Sequence, residues 1–261
     1  MVMPFHKTDL NDLKKAKTLL ENPGIAAKIT NLLGTPIERG LELLPDNWNV
    51  KVRELTQEAL SKAVHAAVFT IKDSPGKEAS NYWHKIAVAT TGGIGGFFGL
   101  TALAVELPIS TTIMLRSIAD IARSEGEALS KIESKIACIE VFAFGGPSKS
   151  DDASESGYFA VRAALAQSVT KAVEYITEKS LAEEGAPALV RLVIKIAERF
   201  SIQVSEKAAA QAVPAIGAAG GAIINTLFID HFQDMALGHF IVRRLERKYG
   251  KEVVEATYKT V

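Results

Sequence analysis

Two long stretches without a charge constrain what this chain can fold into. Ile86 to Val105 is twenty residues with no Asp, Glu, Lys or Arg, and Ala208 to Ile229 is a second such run. A segment that is apolar on every side has to be surrounded, either by lipid or by the rest of the chain. Each run is long enough to cross a bilayer. Both, however, are rich in glycine and alanine: the first carries Gly92, Gly93, Gly95, Gly96 and Gly99, the second Pro214, Gly217, Gly220 and Gly221. Neither is flanked by a basic cluster that would orient a span. The pair therefore reads as two central helices of a bundle, with a membrane hairpin as the alternative. Gly92/Gly96, Gly95/Gly99 and Gly217/Gly221 are small-xxx-small pairs, which let helix backbones approach closely.

The remaining sequence supplies the wrapping. Apolar residues recur at helical spacing and no strand-like alternation persists. Helices are expected from Thr8 to Leu20, then to Leu33, from Ile37 to Leu44 and from Val50 to Ile71. Further helices are expected from Ser110 or Thr111 to Gly126, over 130–143, 155–182 and 187–206, and from Asp230 to Tyr249. Asn22-Pro23-Gly24, Gly34-Thr35-Pro36, Asp73-Ser74-Pro75-Gly76 and the polar run from Pro147 to Ser156 supply the breaks. Each half of the chain holds one apolar run. The expectation is one all-α domain over 1–261, a helical bundle in which the two glycine-rich helices pack together.

Charge and cysteine usage narrow the function classes. Thirty basic residues balance thirty acidic ones, so nothing global draws the chain to phosphate, and a nucleic-acid partner is not expected. The single cysteine, Cys138, excludes an internal disulfide and a multi-cysteine zinc site. No basic-then-apolar leader opens the sequence, which fits a cytoplasmic protein, associated or not with the inner face of the membrane.

The chemistry-bearing residues cluster after each apolar run. Glu106 precedes Leu107-Pro108, and Arg116, Asp120 and Arg123 follow at spacings that share a helix face. With a corner at Pro108 they form either a structural ion network or the polar end of an apolar cavity, Arg116 then holding an anionic head group. Gly92, Gly96, Gly217 and Gly221 would line that cavity. After the second run, His231 and Asp234 are three apart, a weak candidate metal pair, though acidic groups also suit a helix start. Glu140 lies beside Cys138 in an apolar helix, and the cysteine has no histidine partner by sequence. Gly92-Gly93-Ile94-Gly95-Gly96 lacks the lysine of a phosphate loop, and no Gly-x-Ser-x-Gly elbow occurs.

The same residues resemble the EcsC protein family. The resemblance is carried by Gly34-Thr35-Pro36-Ile37-Glu38 with Leu43-Leu44-Pro45, and by Gly92-Gly93-Ile94-Gly95-Gly96 through Glu106-Leu107-Pro108. It continues in Arg116-Ser117-Ile118-Ala119-Asp120-Ile121-Ala122 and Gly126-Glu127, then in 138–146, 214–218 and the segment from Asn225 to Arg243. It covers about Asn22 to Gly250. It implies an α-helical bacterial protein, in a family named for a gene beside an ABC-transporter pair, and it carries no catalytic residues and no cofactor onto this chain. The functional expectation is a non-enzymatic accessory protein that binds a lipid or fatty-acyl ligand, or docks on a membrane or on a membrane protein such as an ABC transporter. The alternatives are a structural partner with no ligand and a metal-dependent hydrolase.

Overall fold

A computed structural model describes residues 5–21, 24–33, 38–70, 99–146, 157–179, 187–212 and 217–261. All regular structure among them is helical: α1 (Lys7–Leu20), α2 (Ile25–Leu33), α3 (Glu38–Leu41), α4 (Trp48–Thr70), α5 (Gly99–Ser124) and α6 (Ile132–Glu140). A 3-10 turn (Val141–Ala143) follows, then α7 (Gly157–Lys179), α8 (Pro187–Ala212), α9 (Gly217–Tyr249) and α10 (Lys251–Thr260).

The packing follows the apolar stripes. Leu13, Ala16 and Leu20 put one face of α1 on α9. Its buried Asp9 is met by Lys248 at 2.6 Å and by the Tyr249 hydroxyl at 2.7 Å. Lys17 donates to the carbonyls of Tyr258 and Val261, so α1 also holds the end of α10. The α4 helix lies between α5 and α8, and α9 packs on α1 and α5. Phe142, Phe200, Phe228 and Phe232 fill the centre, the Phe142 and Phe200 rings 4.9 Å apart. One hydrophobic core runs through the described residues from Leu13 to Tyr258, drawing on both halves of the chain. Glycine decides one crossing in it: a Cβ on Gly40 would collide with the Ala209 backbone, so α3 lies directly against α8.

Two expected boundaries are corrected. Pro108 makes no corner; α5 runs straight through it. The proline removes one amide donor, and the carbonyl it leaves, that of Ala104, belongs to an exposed residue that water can reach. Ser110 and Thr112 hydroxyls bond the next carbonyls, of Leu107 and Pro108. The described parts of the second apolar run lie in two helices that reach beyond the expected bounds of 206 and Asp230. They are the tail of α8, described to Ala212, and the head of α9, described from Gly217. Helix α5, carrying the end of the first run, does pack against α9. Gly92, Gly96 and Pro214 lie outside the described residues; Gly217 opens α9, and Gly221 is buried in it. No helix among the described residues is long and apolar enough to cross a membrane.

Candidate functional site

The expected cluster around Glu106 is not assembled. Glu106 is buried on α5, and its carboxylate takes the ammonium of Lys207, from α8, at 2.5 Å. Lys207 is wholly buried, with its charge 5.0 Å from the centre of the Phe228 ring. Arg116 is exposed instead of facing Glu106. On an unbroken helix a step of ten residues spans about 15 Å, and no corner folds the arginine back. Asp120 accepts from Arg123 at 2.6 Å. The three residues therefore do not share a site.

The second cluster also separates. Asp234 pairs with Lys28 of α2 at 3.1 Å. His231 is fully buried, and neither ring nitrogen finds a hydrogen-bond partner. Burial, helped by the charge of Lys28, pushes its pKa down to about 3, so the ring stays neutral. No group of residues able to hold a metal occurs among the described residues. Cys138 is buried, and burial pushes its thiol well above the usual range, which makes it inert rather than nucleophilic.

The structure gathers a different site where the 3-10 turn ends. Gly145 has φ +76°, a left-handed conformation that glycine adopts without strain. A Cβ there would drive into the His231 ring, so the imidazole fills the space glycine leaves. The preceding carbonyls are pinned from α8. Arg199 Nε donates to Ala143 at 2.8 Å, and Gln203 Nε2 to Phe144 at 2.6 Å. The Phe144 ring packs on Tyr158 and His239, and the Tyr158 hydroxyl lies 2.8 Å from His239 Nδ1. Burial, with Arg162 and Arg243 nearby, holds His239 neutral.

Beside this loop is a cavity of about 420 Å³. Its apolar wall is Leu20, Ala26, Ala27, Phe144 and Val161; its polar groups include Arg199 and Glu206. Both come from one face of α8, where Arg199, Gln203 and Glu206 fall at i, i+4 and i+7. Glu206 accepts the Ala26 amide, a donor that the first turn of α2 leaves without an intrahelical partner. Burial outweighs that bond and raises the carboxyl to about 6.

Arg199 differs from the other half-buried arginines. Arg123, Arg162, Arg243 and Arg244 each meet a carboxylate. Arg199 has none among the described residues, and burial alone lowers its pKa. Its Nε is spent on Ala143, which leaves the two terminal nitrogens of the fork for an anion. No serine, cysteine or histidine lines the cavity. The arrangement can hold an anionic group at Arg199, offer a hydrogen bond from Glu206 and seat an apolar body on the opposite wall. The spacing Arg199-x-x-x-Gln203-x-x-Glu206 was the available sequence signal for it. Nothing in the sequence tied that face to Gly145.

A family model described as the EcsC protein family matches residues 7–245, nearly the whole described fold. No curated protein and no solved structure matches the chain. The chain belongs to the EcsC protein family.

Proposed function

We propose that this EcsC-family chain is a binding protein, not a catalyst, and that its cavity at Gly145 takes a small amphiphilic anion such as a fatty acid. The carrying observation is Arg199: a half-buried guanidinium, uncompensated by any described carboxylate, that opens on a largely apolar cavity. Buried cations are ordinarily paired, so the missing partner is supplied by the ligand. The cavity volume falls in the range of small-molecule sites. The head group moves from Arg116, where the sequence put it, to Arg199. Decanoate is a suitable probe. Titration calorimetry should give saturable binding that Arg199→Gln weakens at least tenfold while the fold persists. Equal binding by the folded variant, or no binding by the wild type, overturns the reading. Native mass spectrometry of the purified protein, with lipid extraction, would identify a resident ligand.

A second reading, docking on a membrane surface or a membrane protein, is favoured by α5. Val105 is 65% exposed and Ile109 46%, one turn apart on the same helix, an apolar pair that a membrane surface could take. Flotation with anionic phospholipid vesicles tests it: Val105→Asp with Ile109→Asp should abolish co-flotation. Unchanged flotation removes that face from consideration.

A further inference from the structure

A second cavity, of about 540 Å³, lies between α6, α7, α9 and the start of α10. Glu140 reaches it from α6, Val169, Val173 and Glu174 from α7, Arg243 from α9, and Lys251 from α10. It shares no lining residue with the cavity at Gly145.

The arginines near it are already committed, while Lys251 also lines it. Arg243 donates twice to Glu127, at 2.8 and 3.2 Å, and Arg247 donates to the same carboxylate. Arg162 holds Glu246 with two bonds, at 2.7 and 3.0 Å. Of the buried acids among the described residues, Asp9 has Lys248, Glu106 has Lys207 and Glu127 has Arg243. Glu140 has no hydrogen bond and no ion pair among the described residues, although it is only 7% exposed. Burial raises its pKa even against the attraction of Arg162, Arg243 and Lys251. A carboxyl in that position gains most from a group that brings both a positive charge and N–H donors.

We propose that this cavity binds an alkylammonium ligand, a primary amine or diamine, with one ammonium on Glu140 and its methylenes on Val169 and Val173. Glu174, exposed at the same cavity, suits the second ammonium of a diamine. The site is independent of the anion cavity, and neither proposal needs the other.

Titration calorimetry with three five-carbon probes tests it on the intact chain. 1,5-Diaminopentane should bind saturably, 1,5-pentanediol at least tenfold more weakly, and glutarate not at all. Glu140→Gln removes an unpaired buried charge, so the variant should fold, and it should lose at least tenfold in diamine affinity. Thermal unfolding checks the fold; if the variant does not fold, the three-probe series on the wild type decides alone. Diol binding as tight as the diamine, no diamine binding, or a folded Glu140→Gln that binds undiminished would each overturn the proposal.

Discussion

Helix α8 carries two buried cations eight residues apart, and they have opposite fates. Lys207 is sealed: fully buried, 2.5 Å from the Glu106 carboxylate and covered by the Phe228 ring. Arg199 is half-buried, tied among the described residues only to a backbone carbonyl, and faces a cavity. Desolvating a charge costs several kcal/mol, and a close partner is what offsets it. The pair at Lys207 is complete without any other molecule and reads as scaffold. The group at Arg199 has no carboxylate partner among the described residues, and the proposed site rests on that. Burial of a charge says little by itself; whether its partner is inside the protein says much more.

The largest expected effect tests the sealed member. Lys207→Met leaves Glu106 buried and alone, and should destabilise by about 3–5 kcal/mol in denaturant titration. Adding Glu106→Leu should recover most of that loss, because an apolar pair of similar size needs no partner. If the double variant is as damaged as the single, the pair does more than neutralise itself and the contrast with Arg199 weakens.

Arg199→Gln should show the reverse profile. Stability should change by less than about 1 kcal/mol, since only a bond to the Ala143 carbonyl is at stake. Decanoate affinity should fall by about 1.5–3 kcal/mol, the scale of a charge-assisted hydrogen bond. Loss of stability with affinity intact would make Arg199 scaffold too.

Glu206 sharpens the comparison through pH. Its carboxyl is raised to about 6 in the folded chain from an ordinary 4.5. The folded state thus holds the proton more tightly, so its contribution to stability is fully present below about 4.5 and is lost as pH rises through about 6. Glu206→Gln should remove that part of the profile in melts recorded from pH 4 to 7.5. Decanoate should also bind the wild type more tightly at pH 5.5 than at 7.5, because the ionised carboxylate repels the probe; the variant should flatten that dependence.

Arg116→Gln should have the smallest effect. The residue is exposed, so stability should move by less than about 0.5 kcal/mol and decanoate affinity not at all. A clear loss of affinity would return the head-group site to α5.

The fold class was legible because helical periodicity is a local property: Leu13, Ala16 and Leu20 announce the buried face of α1 without knowledge of what covers it. Pro108 misled because proline's effect depends on whether the orphaned carbonyl can be hydrated, and the exposure of Ala104 is a tertiary fact. The partner of Glu106 was invisible for a similar reason. Lys207 lies a hundred and one residues away, while Arg116 and Asp120 were close in sequence and looked sufficient. At the proposed anion site, Arg199, Gln203 and Glu206 could be placed on one face. Their meaning comes from the carbonyls of Ala143 and Phe144, which arrive on another segment. Local pattern finds helices and faces; it does not find which two faces meet.

The pairing of α1 with α9 and α10 has a consequence for synthesis. Helix α1 buries Leu13 and Ala16 against a helix made much later, with Asp9 waiting for Lys248. At about 5–20 residues per second, α1 spends on the order of 10–40 s on the ribosome before its partner emerges. Through that interval its apolar stripe is open to chaperones or to the same stripe on a neighbouring nascent chain. Slowing synthesis would therefore lengthen the exposure of α1 instead of helping it to pack.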